Sequence, residues 1–85
     1  MGNKEKIMDW INHKNGTDYV KLMRFCEEPK DFRAMTDRKK SGMHIRQDQL
    51  FTMIKDLKDA EALEFIGNGL YKTTALGLEC CREVS

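Results

Sequence analysis

Apolar residues recur at helical spacing along most of this chain, and the pattern predicts four helices. Their approximate bounds are residues 4–14, 17–28, 30–40 and 45–62. In the first of these stretches, Ile7, Trp10 and Ile11 stand at positions i, i+3 and i+4, so they lie on one face of a helix. That face is expected to pack against the rest of the molecule or against a second copy of it.

The fourth stretch is the longest and the most apolar. Leu50, Ile54 and Leu57 recur there at i, i+4 and i+7, which places all three on the same side of a helix. Phe51 and Met53 flank this row and widen the apolar face. We therefore expect this helix to be a central one, with a buried side formed by these residues.

Residues that favour helix ends separate the predicted helices. Asn15-Gly16 is expected to end the first helix, because both residue types tolerate the left-handed backbone found there. Thr17 can then cap the second helix with its hydroxyl group. Pro29 either stops the second helix or occupies the first turn of the third. Ser41-Gly42 is expected to end the third helix.

A β-hairpin is predicted after the fourth helix. Asn68-Gly69 lies between two short runs of apolar and β-prone residues, and a type I′ turn needs positive φ at both of its central positions. Thr74 then provides a cap for a last helix. The sequence contains no internal repeat and no linker, so residues 1–85 are expected to form one domain, mainly α with a small β-hairpin.

The end of the hairpin carries a resemblance to a known family. The run Tyr71-Lys-Thr-Thr74-Ala-Leu-Gly77 resembles the Tyr-x-Leu-Thr-x-x-Gly signature that closes the wing in many small prokaryotic winged helix-turn-helix regulators, with Thr73 where Leu is usual. The resemblance implies a winged helix-turn-helix core over residues 17–83, preceded by an extra N-terminal helix as an appendage in residues 1–16. It also implies that residues 45–62 form the recognition helix. The alternative is a small helical bundle in which each helix is an ordinary core helix.

Composition agrees with a soluble domain of this size. The 85 residues are 40% hydrophobic and 34% charged, with a formal net charge of +1, which is typical of a folded globular protein rather than a disordered one. No apolar run approaches the roughly 18 residues that a membrane span requires. The N-terminus lacks the apolar region of a secretory signal, so we expect a cytoplasmic protein with no membrane partner.

The charged residues are segregated along the chain. Residues 30–46 hold six basic residues against two acidic ones, a local charge of +4, whereas residues 47–64 hold two basic against five acidic, a local charge of −3. A basic segment before the recognition helix suits contact with DNA phosphates. The alternative interpretation of Arg38-Lys39-Lys40 is a solvated helix terminus that complements the helix dipole.

The resemblance and the charges together predict a small sequence-reading transcriptional regulator that binds double-stranded DNA. Arginine pairs with guanine and glutamine with adenine in the major groove. The residues expected to contact DNA are Arg33, Arg38, Lys39, Lys40, His44, Arg46, Gln47, Gln49, Thr52, Lys55, Asn68 and Lys72. Because one such module covers little DNA, we expect a homodimer. Its interface is predicted at Ile7, Trp10, Ile11, Leu76 and Leu78.

Two features favour a protein partner instead. At 100° per residue, Asp48 and Asp56 project from the outward face of the recognition helix together with Thr52 and Lys55, and carboxylates there repel phosphates. The wing tip, Gly67-Asn68-Gly69, contains no Lys or Arg. A winged-helix adaptor that binds another protein through this acidic face is therefore the alternative function, since a fold alone does not decide function.

The sequence does not indicate an enzyme, and no cofactor is predicted. His13 and His44 are isolated from any nucleophile, and histidines of this kind are usually surface or capping residues. Cys26, Cys80 and Cys81 are expected to be reduced thiols in a chain without a secretory signal. A metal or redox site at Cys80-Cys81 with one of the histidines is the alternative, but the spacing matches no zinc template.

Overall fold

The computed structural model of the chain describes residues 2–13 and 16–84. The described part is mainly helical with a small antiparallel sheet. In chain order, the elements are α1 (Asn3–Ile11), α2 (Gly16–Phe25), β1 (Lys30–Asp31), α3 (Phe32–Thr36), α4 (Arg38–Ser41), α5 (Gln47–Asp59), β2 (Leu63–Gly67), β3 (Leu70–Thr73) and α6 (Ala75–Glu83). No helix in residues 2–13 and 16–84 combines the length and apolarity needed to cross a membrane.

The predicted hairpin is confirmed. β2 pairs antiparallel with β3, and Gly67 faces Leu70 across a two-residue turn. Both turn residues have positive φ, 54° at Asn68 and 75° at Gly69, as a type I′ turn requires. The turn is therefore specified by the two residue types that accept this backbone most easily.

The sheet has a third strand that the sequence pattern did not predict. Residues 30–31 were expected to begin a helix, but they form β1, which pairs with β3 and places Lys30 opposite Tyr71. The strand order is β1-β3-β2. Two residues carry no usable periodicity, so only their hydrogen-bonding partner identifies them as a strand.

The predicted third helix is two short helices. Asp31 begins α3 by accepting a hydrogen bond from the backbone N–H of Ala34 at 2.8 Å. Asp37 is extended, with ψ of 104°, and it separates α3 from α4, which it caps in turn. Gly42 ends α4 in the left-handed conformation, with φ of 69°, so the predicted stop at Ser41-Gly42 is confirmed.

The recognition-helix candidate is shorter than predicted at both ends. It covers Gln47–Asp59 rather than residues 45–62. Glu61 has φ of 62°, and the backbone N–H groups of Glu61 and Ala62 donate to the carbonyls of Lys58 (3.0 Å) and Leu57 (2.8 Å). These two bonds form a Schellman motif. A glutamate in the left-handed position is uncommon, so this helix end could not be predicted from the residue type at position 61.

Gly16 has a different role from the one predicted. It is the first residue of α2 rather than the end of the preceding helix, so Thr17 is not the cap of α2. A Cβ at position 16 would lie 1.6 Å from the backbone oxygen of Ile11. Gly16 is thus required because α2 begins very close to the end of α1. The predicted helix end at Asn15 falls outside the described residues, and α2 itself ends at Phe25 rather than near residue 28.

The N-terminal helix belongs to the core and is not an appendage. α1, α2 and α6 pack against one another, and Ile7 is completely buried among them. Thr74 caps α6 by accepting a hydrogen bond from Gly77 N–H at 3.3 Å, as predicted. The buried apolar core consists of Ile7, Leu22, Met23, Cys26, Met35, Met43, Leu50, Met53, Ile54, Leu57, Ala60, Ala62, Leu63, Cys80 and Cys81.

Candidate nucleic-acid interface

The basic residues of α3 and α4 face solvent. Arg33, Arg38, Lys39 and Lys40 are all exposed. Within the described residues, none of these four side chains forms an ion pair. Their charges are therefore available to an anion from outside the molecule.

The two acidic residues of the same segment do not neutralise those charges through side-chain pairs. The Asp31 carboxylate caps α3, and the Asp37 carboxylate accepts hydrogen bonds from the backbone N–H groups of Lys39 (3.0 Å) and Lys40 (3.3 Å). Carboxylates at helix N-termini are stabilised by these donors and by the helix dipole. The local charge of +4 is thus presented mainly by exposed cationic side chains.

The loop before α5 is held by one buried residue. Met43 is 3% exposed, and its backbone N–H donates to the Ser41 hydroxyl oxygen at 3.2 Å. On either side of the half-buried Ile45, His44 and Arg46 are exposed. Arg46 forms an ion pair with Asp48, at 3.5 Å between Nη2 and Oδ2. Because both side chains are mostly in water, this pair is easily exchanged for another partner.

α5 carries four of the residues predicted to contact DNA. Gln47, Thr52 and Lys55 are exposed, whereas Gln49 is half-buried. The Thr52 hydroxyl donates to the backbone oxygen of Asp48 at 3.2 Å. Asn68 and Lys72 on the hairpin are exposed as well. Of the twelve residues predicted to contact DNA, eleven are therefore exposed and Gln49 is half-buried.

Asp56 does not lie on the outward face of α5, so that prediction was wrong. Its side chain is half-buried and accepts a hydrogen bond from the Tyr19 hydroxyl at 3.5 Å. Burial, together with the nearby Asp56 carboxylate, raises the pKa of Tyr19. One of the two carboxylates that argued against DNA therefore faces α2, and Asp48 is the one that remains at the start of the helix.

Phe51 is more exposed than its place in the apolar pattern suggested. Its side chain is 58% exposed. One side of its ring is stacked on Phe32 of α3, with ring centroids 4.3 Å apart and planes inclined by 19°. The stacked pair joins α3 to α5, and it leaves an aromatic surface in contact with solvent.

The hairpin carries further exposed apolar residues. Phe65 is 51% exposed and Ile66 is 46% exposed. Phe65 contacts Tyr71 of β3, with ring centroids 5.3 Å apart, and the Lys58 ammonium lies 5.8 Å from the centroid of each ring. The sequence analysis noted only that the tip of the hairpin has no Lys or Arg, whereas the structure shows two aromatic rings on the hairpin with a lysine from α5 over them.

A cleft of about 180 Å³ lies between α5 and the hairpin. Its lining residues are Phe51, Ile54, Lys55, Lys58, Asp59 and Tyr71. Sequence reasoning selected Lys55 alone among these as a site residue. The other lining residues were missed because the helix and the hairpin meet only in the tertiary structure. One signal was present in the sequence, since alternation along the two predicted strands places Tyr71 and its neighbour Phe65 on the same face of the hairpin.

The predicted dimer residues are only partly available. Ile7 is fully buried, so it cannot form part of an interface and is removed from that prediction. Trp10, Ile11, Leu76 and Leu78 are half-buried. Trp10 stacks on Tyr19 with ring centroids 5.7 Å apart, so much of its surface is used within the chain.

No cluster of three or more His, Cys, Asp and Glu side chains suited to a metal ion occurs in residues 2–13 and 16–84. The three cysteine side chains are buried. Burial raises the pKa of the Cys26 thiol to about 12, and it also raises the pKa values of Cys80 and Cys81. His13 is exposed and pairs with Asp9 at 3.3 Å.

No protein-family model matches this chain, and no curated protein or solved structure is significantly similar to it.

Proposed function

We propose that the chain is a small winged helix-turn-helix regulator that binds double-stranded DNA. The observation that carries the proposal is the group of exposed, unneutralised cations on α3 and α4, immediately before α5. The order helix, turn, helix, hairpin follows the layout that this class of protein would have. In that layout, α3 and α4 cross the phosphate backbone and the beginning of α5 enters the major groove.

Each part of the surface would then have a distinct task. Arg33, Arg38, Lys39 and Lys40 would neutralise phosphates, which supplies affinity without sequence information. Arg46 and Gln47 are the residues best suited to base edges. Because the Arg46–Asp48 ion pair is exposed, Arg46 can leave Asp48 and pair with a guanine. The Asp48 carboxylate would repel a phosphate that came close to it.

A titration on DNA at two salt concentrations tests the proposal. Fluorescence anisotropy with a labelled mixed-sequence duplex should show binding at about 50 mM salt, and four neutralised phosphates predict roughly 100-fold weaker binding at about 200 mM. Absence of binding at the lower concentration, or affinity indifferent to salt, would contradict the proposal.

A matched pair of variants locates the surface. The triple variant Arg38→Gln/Lys39→Gln/Lys40→Gln removes three charges from α4, and Lys6→Gln/Lys21→Gln/Arg82→Gln removes three from exposed positions of α1, α2 and α6. The first should reduce the salt slope by about 2.7, since each phosphate contact contributes about 0.9. The second should change it much less. Equal losses in both variants would mean that only net charge matters.

The second candidate function is a protein-binding adaptor. The exposed Phe65 and Ile66 on a hairpin without cations at its tip favour it, because apolar residues of this kind often mark protein interfaces. The variant Asp48→Lys/Asp59→Lys separates the two functions. A regulator would bind the DNA duplex more tightly with these changes. An adaptor would lose its protein partner, and its affinity for the duplex would not rise.

We also propose that the regulator acts as a homodimer through the half-buried residues Trp10, Ile11, Leu76 and Leu78. Sedimentation of the wild-type chain and of Leu78→Ser checks this proposal. A monomer at all concentrations would refute it.

A further inference from the structure

The cleft between α5 and the hairpin combines aromatic surface with positive charge. Phe51 and Tyr71 line it, and Phe65 adjoins Tyr71 at a centroid distance of 5.3 Å. Phe51 and Phe65 are each more than half exposed. These rings are therefore not sealed in the core, and they offer flat apolar surface to a ligand that enters the cleft.

The charges that line the cleft are two lysines and one aspartate. Lys55, Lys58 and Asp59 are all exposed, and none of the three forms an ion pair with a described residue. Lys58 lies over the rings of Phe65 and Tyr71 at 5.8 Å, which is within the range of a cation–π interaction. The cleft thus holds a net positive charge directly beside its aromatic surface.

This combination favours an occupant that is both flat and anionic. A second copy of the chain in a two-fold interface would bring the same lysines toward each other, and like charges across an interface are unfavourable. A purely apolar segment would bury lysines without a partner. A nucleotide supplies an aromatic base for stacking and a phosphate for the lysines, and sites for single-stranded nucleic acid are built from these two elements.

We propose that the cleft accepts an unpaired nucleobase of bound DNA, with the adjacent phosphate contacted by Lys55 and Lys58. The planes of Phe65 and Tyr71 are inclined by 58°, so the base would stack on Phe65 at the margin of the cleft and meet Tyr71 at its edge. The inference rests on the proposed function and extends it. Lys55 follows Thr52 by three residues on the exposed face of α5, so a strand that leaves the duplex near Thr52 would pass this cleft. The protein should therefore prefer duplexes that carry an unpaired nucleotide to fully paired ones.

Binding to two matched probes tests this preference. One is a blunt duplex, and the other is the same duplex with a short single-stranded overhang that contains a fluorescent adenine analogue. The overhang should bind about tenfold more tightly, given the usual contribution of one stacked base. The emission of the analogue should fall on binding, because stacking on an aromatic side chain quenches it.

Two neighbouring variants distinguish base stacking from general apolar contact. Phe65→Leu keeps an apolar side chain but removes the ring, and it should abolish the preference for the overhang while leaving blunt-duplex affinity unchanged. Ile66→Ser removes an exposed apolar side chain from the same strand, and it should leave both affinities unchanged. Phe65→Trp should retain the preference, and Lys58→Gln should weaken it; these two variants provide the test if Phe65→Leu fails to fold in circular dichroism.

The outcomes separate this inference from the proposed function. Equal affinity for both probes with unquenched emission overturns the inference alone. Failure to bind either probe overturns both proposals. If Phe65→Leu and Ile66→Ser both reduce the sedimenting mass, or both release a protein partner, the cleft is an apolar protein interface and the inference is wrong.

Discussion

Replacing Gly77 by alanine should destabilise this protein, although the same change in most helices is stabilising. Gly77 is buried in the first turn of α6. A Cβ there would lie 2.5 Å from the backbone oxygen of Ala62 and 2.7 Å from the Thr73 Cγ2 atom. Neither neighbour can move easily. The Ala62 oxygen accepts a hydrogen bond from Thr74 N–H at 3.0 Å, and the buried Thr73 hydroxyl donates to the Met23 oxygen at 2.5 Å.

The expected change in the free energy of unfolding combines two destabilising effects and one stabilising effect. Overpacking against a fixed backbone costs about 1–3 kcal/mol, and displacement of the Ala62–Thr74 hydrogen bond costs about 1 kcal/mol more. Better helix propensity returns at most about 1 kcal/mol. The expected loss for Gly77→Ala is therefore about 2 kcal/mol. For a domain of this size, the melting temperature should fall by roughly 8–16 °C.

Thermal and urea melts followed by circular dichroism measure this loss. Ala75→Gly is the matched control, because position 75 is exposed in the same helix and the change should cost no more than about 1 kcal/mol. An unchanged or higher melting temperature for Gly77→Ala would refute the close-packing explanation. A changed urea m-value would instead indicate that the denatured or native state had altered its compactness.

Two further predictions concern the hairpin turn and the buried thiols. Asn68→Ala should destabilise the chain by about 1 kcal/mol, because alanine tolerates positive φ poorly, whereas Asn68→Gly should be neutral or slightly stabilising; equal melting temperatures for the two variants would contradict the turn geometry. Cys26 should resist iodoacetamide in the folded state at pH 8 and react on unfolding, since its pKa is raised by burial to about 12 and the thiolate is the nucleophile. The folded state retains this proton above the ordinary thiol pKa, so the stability that Cys26 contributes is fully present below about pH 9 and is lost as pH rises toward 12. Rapid alkylation of Cys26 in the native protein would refute its burial.

The basic part of the candidate site could be predicted from the sequence, but its aromatic part could not. Arg38, Lys39 and Lys40 were identifiable because a run of like charges is seldom buried, and their exposure agrees with that expectation. The Asp37 carboxylate accepts a hydrogen bond from the backbone N–H of Lys39. This cap is also local, because it joins residues only two positions apart. By contrast, Phe65 was not identified as a site residue, because its importance depends on Tyr71 and on Lys58 from another element.

Errors in the sequence-based fold occurred where a distant partner decides the outcome. Asp56 turns inward because Tyr19 of α2 offers it a hydroxyl group. Phe51 turns outward because its stacking partner, Phe32, lies near the surface. Helical periodicity placed Phe51 beside the apolar row, but it wrongly placed Asp56 on the outward face. In both cases, the environment of the side chain depends on a contact with a residue of another helix.

The amino-acid sequence by itself determined the features that depend on local preferences: the helical stretches, the turn at Asn68-Gly69, and the cap at Thr74. These follow from backbone sterics and from hydrogen bonds within a few residues, which any chain with these residues would satisfy in the same way. The tertiary structure alone decided that Lys30 and Asp31 join the sheet beside β3, that Ile7 is buried, and that an aromatic cleft opens between α5 and the hairpin. Each of these depends on groups far apart in the chain, whose meeting is set by how the whole apolar surface can be buried at once.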